Sequence, residues 1–259
     1  MVSKKLWRLL VEVKKATEIT FILVGDHRQC APVENEGVEN YFDHPAVKYL
    51  SNNNLCELTI MKRYNQELWD ALEDVDTVEV SKYGSKICKR NICYFNVTRK
   101  HVNHLIMNQC KPADALFSAA IDGDKYSQDI WIYRGLPLIA RWTDKKVFVN
   151  NEYFVVDEIK DNIVVCHSER TDNDDKPYIH VFSIKSECLQ KVMCVNYCST
   201  VHKCQGETIN EDFTIWNWNK MGKRLKYTAM SRAILPCQIN FANNHPINSM
   251  KMSKAEERP

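Results

Sequence analysis

The sequence predicts an α/β fold in which a parallel sheet is interrupted by a small antiparallel β-barrel. Three observations predict it. Short β-rich apolar runs alternate with amphipathic helical stretches in both the early and the late part of the chain. Between about residues 126 and 190 this rhythm gives way to closely spaced strand-like runs parted by polar turns. The run Ile19–Val24 ends in Gly25-Asp26, which puts polar groups at the carboxyl end of a buried strand, where parallel sheets collect ligands.

Taken in order, Lys4 to Lys15 carries Leu6, Trp7, Leu10, Val11 and Val13 at roughly helical spacing, with basic residues between them. Ile19–Val24 then reads as a buried strand. Leu58-Thr59-Ile60 is strand-like, and Asn65 to Val75 forms an amphipathic helix. Asn91 to Val97 is a strand, with Thr98 capping a helix over Arg99 to Gln109. The barrel strands are Leu136–Trp142, Lys146–Val149, Tyr153–Val156, Ile163–Cys166 and Ile179–Ile184. Arg170 to Pro177 is a solvated hairpin loop, and Asp157-Glu158 a solvated turn. Val192–Tyr197 restores the α/β order, His202 begins a helix, and Phe213–Trp216 is a strand. A helix over Arg224–Ala233, a strand over Gln238–Phe241 and a polar tail over 246–259 complete the chain.

At 259 residues the chain has room for two modest domains, or one with an insertion. A net charge of +2 neither demands nor excludes nucleic acid, because a single strand can be held by a local groove and base stacking. Eleven cysteines at irregular spacing make a poor disulfide framework. Cys88, Cys93, Cys194 and Cys198, with His101, His104 or His167, lack the paired Cys-x-x-Cys knuckles of zinc sites. No metal ligand is assigned; buried free thiols in a reducing compartment are expected instead. No apolar run approaches membrane-spanning length, so a soluble intracellular protein with no membrane partner is expected.

The chemistry concentrates in a few segments. In Gly25-Asp26-His27-Arg28-Gln29-Cys30-Ala31-Pro32-Val33, an aspartate and a glutamine follow the glycine that ends a strand. Arg63 lies just after Leu58–Ile60, and a guanidinium suits a phosphate better than an ammonium does. Thr98 and Asn103 open a helix, where hydroxyl, amide and backbone N–H groups can bind a backbone phosphate. Thr200-Val201-His202-Lys203-Cys204-Gln205-Gly206-Glu207 gathers a histidine, a lysine and a glutamine beside a glycine that permits close backbone approach. Tyr227 to Ala233 places Arg232 on a helix behind small residues.

These segments resemble, in order and spacing, motifs of superfamily 1 helicases of the RecD-like branch that includes the petite-integration-frequency helicases. The resemblance runs from about Met1 to Phe241. It implies RecA-like sheets, with residues 1–55 ending a first motor domain and 56–125 with 191–245 forming a second. Residues 126–190 would be the inserted barrel, framed by Gly135-Leu136-Pro137 and by Asn150-Asn151, where Glu152 replaces the family's second-position glycine. By resemblance Gln29 senses the terminal phosphate, and Arg63 and Arg232 reach it as catalytic arginines. Gly25, Asp26, Gln205, Gly206 and Glu207 face the nucleotide, and Thr98, Asn103, Thr200, His202 and Lys203 the single-stranded DNA. Cys30 and His27 depart from the residues usual in the family's third motif.

Two parts of such a motor are absent from the sequence. It contains no Gly-x-x-x-x-Gly-Lys-Ser/Thr loop and no strand ending in Asp-Glu ahead of Gly25. Met1-Val2-Ser3 matches the inside of the family's second motif. The expectation is therefore the C-terminal portion of an ATP-dependent, 5′-to-3′ DNA helicase. ATP and Mg2+ would bind only with the missing N-terminal half, the chain being either a fragment (truncated, split or translated from an internal start) or one that needs that half in trans. The alternative is a non-catalytic single-stranded-DNA-binding or regulatory module derived from a helicase. The Asn-, Lys- and Ile-rich composition, taken with this family, points to a viral or mobile-element source and to the nucleus or cytoplasm of a host cell.

Overall fold

A computed structural model describes residues 4–30, 43–144, 147–172, 174–242 and 245. Ala31 to Val33, Met1 to Ser3 and the tail over 246–259 lie outside the described residues. The helices are α1 (Lys4–Ala16), α2 (Pro45–Leu50), α3 (Gln66–Glu73), α4 (Asn96–Cys110), α5 (Ser186–Val192) and α6 (Lys223–Met230). The strands are β1 (Arg90–Cys93), β2 (Leu116–Ser118), β3 (Ile130–Ile132), β4 (Pro137–Ala140), β5 (Tyr153–Lys160) and β6 (Ile163–Thr171). They continue with β7 (Pro177–Lys185), β8 (Met193–Val195), β9 (Cys198–Thr200), β10 (Phe213–Ile215) and β11 (Ile239–Phe241).

A parallel sheet in the order β11-β10-β1-β9 forms the centre, every residue of it buried. Strands buried on both faces need helices on both, and the chain supplies them. Val102, Ile106 and Met107 of α4 cover one face. Leu68 and Leu72 of α3, with Tyr227 and Met230 of α6, cover the other. Asn65 starts α3 by accepting from the Leu68 N–H at 3.0 Å. Asn91, buried within β1, donates to the carbonyls of Cys88 and Tyr197 and accepts from Trp216 Nε1 at 2.8 Å. That side chain satisfies three buried polar groups that would otherwise be orphaned.

An antiparallel sheet in the order β7-β6-β5-β4-β8 packs its inner face, including Leu138, Phe154, Val156, Val164 and Cys166, into the same core as α4. It is open: β7 and β8 are its two edges and do not pair with each other. The expected closed barrel is therefore corrected to an open five-stranded sheet. Asp157-Glu158 lies within β5, where the register slips by one residue, and not in a turn. The β6–β7 hairpin extends from Ile163↔Lys185 to Thr171↔Pro177 and turns over Asp172 to Lys176.

Five further expectations are corrected. Ile19–Val24 is not a strand: Ile19, Ile22 and Val24 are 54%, 87% and 92% exposed, and no described strand lies beside them. An isolated extended run has no partner for its N–H and C=O groups. Leu58 and Ile60 are likewise exposed and irregular. Around Val149 only an isolated bridge, Asp144 to Phe148, replaces the expected strand. His202 begins no helix; the chain turns instead, with the Thr200 carbonyl accepting from both Lys203 and Cys204. Helix α4 starts at Asn96 with Phe95 at its cap, so Thr98 sits inside the first turn rather than capping it.

Six of the eleven cysteines are buried, and all are unpaired. No helix among the described residues is long and apolar enough to cross a membrane.

Candidate functional site

The segment Gly25–Cys30 is held against α6. The Cys30 N–H donates to Thr228 Oγ1 at 3.0 Å, and Tyr227 Oη donates to Asp26 at 2.8 Å. Burial alone would raise the Asp26 carboxyl. Hydrogen bonds from the Arg28 N–H, Tyr227 and Gln29, with the Arg28 charge, outweigh it and hold the carboxyl below its usual value. Gln29 Nε2 lies 3.4 Å from Asp26, and Gln205 Nε2 donates to Gln29 Oε1 at 3.4 Å. The two glutamines singled out from the sequence therefore meet across 176 residues of chain. Gln205 Oε1 is buried without a partner among the described residues.

The arginines also converge. Arg63 Nη2 donates to the Glu207 carbonyl at 3.0 Å, and Arg232 Nη1 donates to the same oxygen at 2.8 Å. Arg232 is fully buried, and its other donors go to Thr228 O, Cys204 O and Ser231 Oγ. Burial, and then the neighbouring Arg63, lower its pKa. Neither arginine has a carboxylate ion pair among the described residues, and Arg63 Nε is buried with no hydrogen-bond partner among them. Two like charges share one neutral oxygen, which leaves local positive charge for an anion to meet.

Glu207 itself turns its carboxylate away from them. That carboxylate accepts from Arg90 Nη2 at 2.8 Å and from Tyr153 Oη at 2.6 Å. Gly206, in the same turn, has φ +93°, a conformation L side chains rarely adopt. Gly25 is exposed with open space around it.

A second cluster sits near the start of α4. Thr98 is 1% exposed, and its hydroxyl has no partner among the described residues. Lys203 has no hydrogen-bond or carboxylate partner there either, and burial, with Arg99 and Arg141 nearby, lowers its pKa. Burial likewise lowers the pKa of the half-buried His202. Thr200, at the end of β9, is 7% exposed. Asn103 is fully buried and is occupied in structure: it donates to Val195 O and Cys198 O and accepts from the Cys198 N–H at 2.8 Å. Its amide ties α4 to β8 and β9 and has no donor turned outward.

Sequence reasoning missed Arg28, Arg90 and Tyr153. Arg28 stacks over Tyr227 and Trp69, with its guanidinium 4.8 and 5.2 Å from the ring centroids. Arg90 opens a buried strand, and a charge at such a position is itself a signal that a partner waits elsewhere in the fold.

The arrangement can be tested against the groups the helicase resemblance implies. Two arginines with no carboxylate ion pair among the described residues fit the phosphate end of a nucleotide. For a divalent metal the fit fails, since no cluster of three or more His, Cys, Asp or Glu among the described residues could hold one.

No protein-family model and no curated protein matches the chain. Solved structures do. Bacteroides Pif1 bound to single-stranded DNA aligns at 12% identity with a TM-score of 0.53, over 77% of this chain and 54% of that one. Pif1 helicase from Candida albicans aligns at 10% identity and 0.52, over 73% and 55%. A structure of two coordinating Pif1 helicases on forked double-stranded DNA aligns at 12% identity and 0.52, over 77% and 52%. The chain thus spans about half the length of the structures it matches, and over that span its fold is helicase-like, of the kind seen in Pif1 helicases.

Proposed function

We propose that this chain is the C-terminal part of an ATP-dependent DNA helicase of the RecD-like, 5′-to-3′ type, binding single-stranded DNA and presenting arginines to an ATP site. The observation that carries the reading is the convergence of Arg63 and Arg232 on one carbonyl, with no carboxylate in salt-bridge contact with either among the described residues. ATP, when bound, supplies the phosphoryl group to be transferred. Arg63, Arg232 and Gln29 would face its terminal oxygens, with Gln205 orienting Gln29, and the arginines would stabilise charge developing there. Thr98, His202 and Lys203 would hold the backbone of the strand. Residues 56–125 and 191–245 act as the second RecA-like domain in this reading. A P-loop polypeptide in trans provides the phosphate cradle and the Mg2+ ligands.

The test is ATP hydrolysis by this chain mixed with a polypeptide carrying the P-loop half. The mixture is expected to hydrolyse ATP, and the chain alone negligibly. In the mixture Arg232→Ala is expected to lower turnover by about 10³–10⁵; undiminished turnover would remove Arg232 from the site.

One observation favours a second reading. Every hydrogen-bond acceptor around Arg232 is already supplied from within the chain, as in a residue that builds structure. The chain would then be a non-catalytic single-stranded-DNA-binding or regulatory module. Strand binding that survives alongside a silent reconstituted ATPase would select it.

A further inference from the structure

Arg232 and the turn beside it pose a mechanical problem. Two of the acceptors around its guanidinium, Cys204 O and Glu207 O, belong to the 204–207 turn. The others, Thr228 O and Ser231 Oγ, belong to α6 and to the residue that caps it; Arg232 itself lies in the turn just after that helix, not on it as the sequence predicts. Arg232 is therefore released only if the turn moves. Gly206, at φ +93° and with nothing within 4 Å of a notional Cβ, is a hinge with room around it.

The next residue fastens the turn. The Glu207 carboxylate is clasped by Arg90 at 2.8 Å and by Tyr153 Oη at 2.6 Å. These two side chains come from different sheets. Arg90 opens β1 of the parallel sheet, and Tyr153 opens β5 of the antiparallel one. Arg90 Nη2 also donates to Tyr153 Oη at 2.9 Å, and Arg90 Nη1 donates to the carbonyl of Asn196, in the link between β8 and β9 where the chain crosses from one sheet to the other. Glu207 is thus bonded through its carbonyl to the phosphate-facing arginines and through its carboxylate to the junction of the two sheets.

We propose that Glu207, Arg90 and Tyr153 form a latch that keeps the 204–207 turn closed over Arg232, and that opening it frees Arg232 for an anionic phosphate ligand. This rests on the phosphate-site reading above. Tyr153 is then a positioning residue, touching no ligand, through which the antiparallel sheet governs the availability of Arg232. Because coupling between sites is reciprocal, a phosphate ligand that draws Arg232 out also loosens the hold on β5.

The experiment compares the full chain with Tyr153→Phe, which deletes a single hydroxyl from a side chain that is partly exposed and so leaves the fold intact. Amide hydrogen exchange over 204–209, tripolyphosphate affinity by calorimetry, and the thermal midpoint are measured on both. A hydrogen bond to a charged group gone, the turn is expected to open roughly tenfold more often. While the open state stays minor, affinity for tripolyphosphate rises by that same factor, because apparent affinity scales with the competent fraction. The thermal midpoint is expected to fall by only about 2–4 °C, as loss of one bond predicts for a chain of this size. Unchanged exchange overturns the latch. Faster exchange with unchanged or weaker tripolyphosphate binding overturns the claim that the latch restrains Arg232. Faster exchange with no tripolyphosphate binding by either protein overturns the phosphate-site reading and leaves the latch supported.

Discussion

Ile19–Val24 and Phe213–Trp216 are alike as sequence and opposite as structure. Both are short, β-rich and apolar, and turn-forming residues follow each, Gly25-Asp26 in one case and Asn217 in the other. Phe213, Ile215 and Trp216 are fully buried, whereas Ile22 and Val24 are 87% and 92% exposed. What differs is the company. β10 lies between β1 and β11, bonded to both, with α3 and α6 on one face. The earlier run has no described strand on either side. Strand propensity is thus a capacity to fit a half-built sheet, realised only where neighbours supply the ladder. Under the proposed function those neighbours come from the P-loop polypeptide.

The sharpest way to break this comparison is to remove side chains from each run in turn. Trp216→Ala is expected to cost about 3–5 kcal/mol in urea unfolding, since it empties a fully buried site in the joint core. Asn91→Ala is expected to cost about 1–3 kcal/mol by the same measurement, because it leaves the Trp216 indole N–H buried without its acceptor.

Lys203→Met probes the cluster proposed to hold the strand. Burial lowers the Lys203 pKa from 10.5, so between the folded value and 10.5 the unfolded chain binds more protons and wild-type stability gains as pH rises. The variant, which carries no buried ammonium, is expected to be the more stable at neutral pH, with the gap narrowing towards pH 10.5. It is also expected to weaken single-strand binding and to flatten its salt slope by about one. An unchanged slope would remove Lys203 from the strand interface. The smallest effect belongs to the exposed run: Ile22→Ser is expected to shift stability by no more than about 0.5 kcal/mol. A larger loss, growing with protein concentration, would mean that a second copy covers the run in solution.

Much of the fold was legible because it follows from local pattern. Alternating apolar residues marked β5 to β7, helical spacing marked α3 and α6, and turn-forming residues marked the hairpin between β6 and β7. Gln29, Gln205, Arg63 and Arg232 could be singled out from the resemblance to helicase motifs, and the fold brings Gln29 to Gln205 and Arg63 to Arg232. The pairing of Arg90 with Glu207, 117 residues apart, was not legible, because it exists only once two sheets are joined. The turn of Glu207 towards Arg90 and Tyr153 was hidden for the same reason. Asn103 shows the same limit: an amide near a helix start serves a buried backbone as readily as a ligand, and only packing decides between them.

The open edge at β7 carries a consequence of its own. That strand is nine residues long, bonded on one side only to β6, and shows Tyr178, Ile179 and Val181 to solvent. The size of the sheet is therefore not fixed by its own hydrogen bonds, and another extended chain could lengthen it without any change of fold. Pro177 at the start of the strand and the charge of Lys185 at its end act as stops at the two ends of this template. Raising the protein's own concentration is then the condition expected to bring copies together along this edge.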